Sequence, residues 1–166
     1  MSTQQLQTLA QTKNISLADA QFELMTQGGT IAKVYLMNGI CLKSQILTYD
    51  ENYILMLSRE GGLNLVKRSA ISTSQATDVT DERFNVDLDG QSIQQFALKQ
   101  LASMKVNVFL ISGIRLTGNI VAFDNESVYL SAFDKDSGRE TNQIIQLSSI
   151  ASISKFVQKQ YAGGNY

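Results

Sequence analysis

Hydrophobic and polar positions alternate along most of this chain, and the alternation breaks at turn residues in the same order twice. From Val34 the pattern V-Y-L-M stops at Asn38-Gly39 and resumes as I-C-L-K-S-Q-I-L-T-Y-D, which predicts two strands joined by a sharp bend or turn. Strands follow over Tyr53–Leu57 and Leu63–Lys67 around the turn Arg59-Glu60-Gly61-Gly62, and a last short one over Ala70-Ile71-Ser72. The order then repeats as Val106–Ile111, Ser112-Gly113, Ile114–Phe123, Val128–Phe133, a polar loop Asp134–Glu140, Gln143–Leu147 and Ile150–Ile153. The segment VYLMNGICL (34–42) returns as VFLISGIRL (108–116) with five of nine positions identical, at an offset of 74. The offset is still 74 at Asp50/Asp124 and becomes 79 by Ile71/Ile150, which predicts five extra residues in the second copy's long hairpin loop.

A helical stretch precedes each set of strands. Ser92 followed by Gln95 is a capping-box pattern, and Ile93, Phe96, Ala97, Leu98 and Leu101 supply an apolar face. Ser16 opens LADAQFELM, which stops at Gly28-Gly29. The expected fold is mostly β with short N-terminal helices, an α+β small barrel. Two units, 16–75 and 90–155, each carry a helix followed by a strongly bent five-stranded antiparallel sheet. An N-terminal tail (1–15), an acidic linker (76–89) and a flexible C-terminal tail (156–166) complete the organisation. Units of this size are small for an independent core, so association with neighbours is expected.

Composition narrows the chemistry. The chain has no histidine, which excludes His-dependent triads, His metal sites and imidazole acid–base catalysis. The Gly-Gly pairs lack the Lys-Ser/Thr of a phosphate loop, and Asp50 and Asp124 sit where turn formation is the ordinary role. No paired catalytic groups are present, so a binder rather than an enzyme is expected. A single Cys41, a polar Gln-rich start and apolar runs too short to span a bilayer point to the cytoplasm. The net charge of −1 is unevenly spread: residues 1–75 carry +1, 76–91 carry −4 and 92–166 carry +2. Two mildly basic units around an acidic connector permit a phosphate-bearing partner without demanding one.

The repeated unit resembles the Sm/Lsm fold, and within it the bacterial RNA chaperone Hfq. VYLMNGICLKSQI is similar to that family's first two strands, Tyr49-Asp50 to its Phe-Asp, and Ala70-Ile71-Ser72-Thr73 to its Ala-Ile-Ser-Thr ending. In the second copy Ser92-Ile93-Gln94 resembles the family's Ser-Leu-Gln, and IRLTGNIVAFD (114–124) its second strand. The resemblance implies a tandem fusion of two Hfq-like units. Family rings have six members joined fourth strand to fifth, so it also implies a homo-oligomer of three chains closing a pseudo-hexameric ring, with stacked rings as the alternative.

The resemblance further implies a cytoplasmic post-transcriptional regulator that binds single-stranded RNA, small regulatory RNA and mRNA, with A-rich tracts preferred and no cofactor or metal. On the distal face it points to Tyr35, Asn38, Gly39, Ile40, Leu42, Asn64 and Thr73 in the first copy. In the second it points to Phe109, Gly113, Ile114, Arg115, Leu116, Gln143 and Ser152. Aromatic stacking there is worth about 1–3 kcal/mol per base. The proximal, uridine-binding set survives only as Asn52, Arg68, Gln94 and Asn125, with Glu51 and Glu126 beside it, so U-tract binding is expected to be weak. The Arg-rich rim is replaced by Thr26-Gln27-Gly28-Gly29 and Ser103-Met104-Lys105, and Lys33, Lys43, Lys99 and Lys105 read as ordinary solvated charges. Tyr161 and Tyr166 offer a minor contact in the tail. The alternative function is a protein-interaction ring with little RNA affinity.

Overall fold

The computed structural model describes residues 1–57, 62–80 and 82–157, so the Arg59–Gly61 part of the expected turn and the tail tyrosines lie outside the described residues. Three helices and ten strands form. α1 (Thr3–Lys13) starts at a reciprocal box: Ser2 Oγ accepts from Gln5 N at 3.1 Å, and Gln5 Oε1 accepts from Ser2 N at 2.9 Å. It ends at Asn14 in the left-handed region (φ 52°) and contacts α2 (Leu17–Gly28), with Lys13 paired to Glu23. The stretch expected as a tail is therefore largely helical. α2 is capped by Ser16 and Gly29 and buries Ala20, Phe22 and Met25. α3 (Ile93–Leu101) is capped by Ser92 and buries Ile93, Ala97, Leu98 and Leu101.

The first strands are β1 (Thr30–Leu36), β2 (Cys41–Tyr49), β3 (Tyr53–Leu57), β4 (Leu63–Lys67) and β5 (Ile71–Val79). The second set is β6 (Lys105–Leu110), β7 (Arg115–Phe123), β8 (Ser127–Asp134), β9 (Arg139–Gln146) and β10 (Ile150–Lys155). In both, a tight turn joins the first two strands. Gly39 and Gly113 occupy it at φ 89° and 98°, a conformation that side chains with a Cβ rarely adopt. β2 gives residues 41–45 to β1 and Ile46, Thr48 and Tyr49 to β3, with a register shift between Ile46 and Thr48, and β7 passes from β6 to β8 at Asn119 with the matching shift between Ile120 and Ala122. That shift is the bend expected of each unit.

Two details differ from the sequence expectation. The second copy's expected long loop is mostly ladder: β8–β9 has eight pairs closed by residues 135–138, against five pairs among the described residues of β3–β4. β5 also runs on to Val79, so part of the expected linker is strand, paired to β1.

The two five-stranded sets join into one continuous antiparallel sheet, ordered β5-β1-β2-β3-β4-β10-β6-β7-β8-β9, through the fourth-strand-to-fifth-strand pairing that the resemblance implies between units. β4 of the first set pairs with β10, the last strand of the second, through Val66↔Ser152, Leu65↔Ile153 and Asn64↔Ser154. Both faces of β3 and β4 are consequently buried. Leu55 and Leu65 join the core under α3, while Ile54, Met56 and Val66 join the core under α2. At about 1.5–3 kcal/mol per fully buried aliphatic side chain, this seam is part of the hydrophobic core. β5 and β9 are left as the free edges.

Candidate nucleic-acid interface

On either side of the seam, cross-strand pairing lines up two short rows of side chains on one face. In the second set the rows are Ser152–Phe109–Arg115 and Ser154–Asn107–Thr117. In the first set the same positions are Thr73–Tyr35–Cys41 and Gln75–Lys33–Lys43. Opposed residues of an antiparallel pair share a face, so each row is contiguous. β4 adds Asn64 beside Ser154 and Val66 beside Ser152.

The structure thus brings Asn64, Ser152, Phe109 and Arg115 together across four neighbouring strands. Asn64 is 1% exposed and Ser152 2%, yet neither side-chain atom of the Asn64 amide nor Ser152 Oγ has a hydrogen-bond partner. Leaving such groups buried and unpaired costs about 1–3 kcal/mol each. Ser154 Oγ, 4% exposed as a residue, is unpartnered as well, whereas Asn107 Oδ1 accepts from Thr117 Oγ1 at 2.7 Å. Phe109 is nearly buried, Arg115 is exposed, and Ile114 stands out at the turn.

At the first unit's free end the corresponding groups are more open. Tyr35 is 36% exposed, with Lys33 Nζ 5.2 Å from its ring centroid, and Thr73 is exposed on the edge strand. Gln143 lies exposed on the opposite edge strand β9, away from Tyr35 and Thr73, so the chain by itself does not complete a second copy of the seam. Asn38 is engaged: its Oδ1 accepts from Ile40 N and its Nδ2 donates to Leu110 O, both at 3.1 Å. That second bond ties the first unit's turn to β6. Leu42 is 1% exposed and belongs to the core, while Leu116 and Ile40 are half-buried against it, so these three shape the face from beneath. Gly39 and Gly113 have open space where a Cβ would stand, and Met37 and Ile111, which the sequence reading passed over, are exposed beside the turns.

The proximal group forms a separate polar hollow at the other end of the strands. Glu51, Asn52, Tyr53, Lys67, Ser69 and Gln94 line it, and a neighbouring hollow adds Asn125 and Glu126. Gln94 Nε2 donates to Asn125 O at 3.1 Å. Arg68 is occupied: its guanidinium donates to Asp50 O at 2.7 Å, pairs with Asp19 at 2.6 Å and stacks over Phe22 at 5.0 Å. It acts as a clamp between β4 and α2. The sequence reading also missed Lys67, whose ammonium donates to Leu147 O across the seam and whose pKa is lowered by burial.

Among the described residues no cluster of three or more Cys, Asp or Glu is placed to hold a metal ion, and no helix is long and apolar enough to cross a membrane. Comparison with known proteins completes the description. A solved structure described as the pleiotropic translational regulator Hfq is 28% identical, with a TM-score of 0.35, and the match covers 36% of this chain and 98% of that one. No curated protein matches the chain. The model of the Hfq family, described as Hfq protein, matches residues 93–155, from the start of α3 to the end of β10. Over residues 93–155, less than half of its length, the chain is therefore similar to the Hfq family.

Proposed function

We propose that the chain is a tandem of two Hfq-like units that binds single-stranded, A-rich RNA on the face carrying Tyr35, Asn64, Phe109 and Ser152, and that it works as an RNA chaperone or post-transcriptional regulator in the cytoplasm. The observation that carries this reading is the unpaired, buried amide of Asn64 opposite Ser154, with the unpaired hydroxyl of Ser152 one pair further along the same face and opposite Phe109, the two serines and Phe109 lying in the stretch that matches the Hfq family model. An asparagine amide offers one donor and one acceptor side by side, the complement of an adenine edge. Arg115 supplies charge for phosphate and a planar surface for stacking.

The same register supports the oligomer of this reading. Gln143, Ile144 and Ile145 of β9 hold the repeat positions of Asn64, Leu65 and Val66, and Thr73, Ser74 and Gln75 of β5 hold those of Ser152, Ile153 and Ser154. A β9-to-β5 contact between copies would place Gln143 beside Gln75 and complete a second site around Tyr35 and Thr73. Three chains joined in this way close a pseudo-hexameric ring. Uridine binding in the proximal hollow is weak in this reading, because Arg68 is consumed by Asp19 and Phe22 and carboxylates border the hollow.

The test is fluorescence anisotropy of labelled oligoadenylate and oligouridylate at two salt concentrations, with oligomer mass measured on the same sample. Oligoadenylate should bind more tightly, weaken with salt, and lose at least tenfold in affinity when Tyr35→Ala and Phe109→Ala are combined. That loss corresponds to about two stacking contacts at the lower end of their range. An intact oligomer that binds neither RNA would leave the protein-scaffold role in its place.

A further inference from the structure

The two halves of this face carry different chemistry at matched positions. On β6 and β7 the inner row is Asn107–Thr117, neutral and tied by the 2.7 Å hydrogen bond, and it continues through Ser154 to Asn64. On β1 and β2 the same row is Lys33–Lys43, two cations directly opposed across an antiparallel pair. Like charges so placed repel, and among the described residues neither lysine forms an ion pair with an acid. One half therefore sets two cations against each other at some cost, with the Tyr35 ring rather than a carboxylate beside Lys33. The other holds buried hydrogen-bonding groups with nothing to bond, also at a cost: Ser154 Oγ and both polar atoms of the Asn64 side chain. Each cost is relieved by a different part of a nucleotide.

We infer that the halves divide the work: Lys33 and Lys43 grip the phosphates of a single-stranded RNA, while Asn64 and Ser154 at the internal seam read an adenine base. The inference rests on the RNA-binding reading above and adds the assignment of Lys33, Lys43 and Ser154. Phosphate contacts fix position without carrying sequence, and base-edge contacts carry the sequence. Thr117 is a positioning residue, since its hydroxyl fixes the orientation of the Asn107 amide beside Ser154. The base-reading atoms are buried and the lysines half-buried, so phosphate contact needs less rearrangement than base entry.

The experiment measures oligoadenylate and oligouridylate of equal length against the full chain across a salt series. It compares the wild type with Lys33→Gln/Lys43→Gln and with Ser154→Ala, confirming each fold by circular dichroism and each mass. The lysine pair should lower the slope of log K against log salt by about 1.4, roughly 0.7 per phosphate on a single strand, and keep the preference for A over U. Ser154→Ala should keep the slope and reduce the A-over-U preference about two- to tenfold, the range of one hydrogen bond. If Ser154→Ala does not fold, Thr117→Val replaces it with the same expectation. An unchanged slope in the lysine variant, an unchanged preference in Ser154→Ala, or both quantities moving together in either variant overturns the division of work while RNA binding stands. A wild type that binds neither RNA overturns the binding reading along with it.

Discussion

In the proposed reading, Asn64 is a single side chain that exchanges stability for recognition. It sits beside Met56 and Ser154, is buried, and has no hydrogen-bond partner. Asn64→Leu, which keeps the branched four-atom shape, should therefore stabilise the fold by about 1–3 kcal/mol. With about 2–4 °C per kcal/mol for a chain of this size, the melting temperature should rise by several degrees while oligoadenylate affinity falls at least tenfold. A drop in melting temperature would mean that the amide is satisfied and structural. Asp124 makes a second residue-scale prediction. Its carboxylate accepts from the backbone N–H groups of Glu126 and Ser127, each at 2.8 Å, and these bonds hold its pKa below the usual 3.8. A carboxyl lowered in the folded state favours folding above its unfolded value, and that contribution fades as pH falls through the folded pKa. Thermal melts should thus show Asp124→Asn losing less stability than the wild type on acidification below about pH 4.

Among the elements, β9 is where sequence and structure part company most clearly. RETNQIIQ has little apolar alternation, and the sequence pattern gives Arg139 and Glu140 to a loop and starts the strand only at Gln143. Yet it pairs with β8 along its whole length, because Ile145 alone needs to face the core. β5 and α1 escaped in the same way: beyond Ile71 the strand is polar, and α1 buries no residue. Periodicity reveals an element through its buried face, so edge strands and solvent helices are nearly silent. The Ser2–Gln5 box was the one signal for α1. By contrast, the bent hairpins and both capped helices were legible, since turns and alternation coincided at Asn38-Gly39 and Ser112-Gly113. Of the candidate site, the residue types were legible but not their burial: Leu42 and Arg68 turn inward because of neighbours distant in sequence. The edge itself is testable. Ile144 is 66% exposed, whereas Leu65, at the same repeat position but paired to β10, is 2%. Ile144→Lys should leave the chain folded by circular dichroism and reduce native mass to a single chain, as edge lysines block strand addition.

At the scale of the molecule, the β4–β10 pairing turns what would be a contact between subunits into a contact within one chain. Such a seam cannot be diluted apart, whereas the proposed β9-to-β5 contact would be concentration-dependent. Native mass spectrometry over a dilution series should therefore show three-chain assemblies dissociating directly to intact single chains, with no half-chain behaviour. Because the internal seam always joins the same two halves, each half is free to hold different residues: Asn107 and Thr117 in one, Lys33 and Lys43 in the other. A ring of identical single units lacks that freedom.

The seam also has a consequence for biosynthesis. β4 is complete at Lys67, but the strand that covers it begins at Ile150, among the last parts of the described chain to be made. A chain growing from its N-terminus presents β4 as a bare edge, with Leu65 uncovered, until nearly the whole polypeptide has emerged. Long-range pairing of this kind is slow to form and leaves a nascent chain open to strand addition by its siblings. A chain truncated before Ile150 should aggregate on synthesis, and supplying a peptide of the β10 sequence should keep part of it soluble.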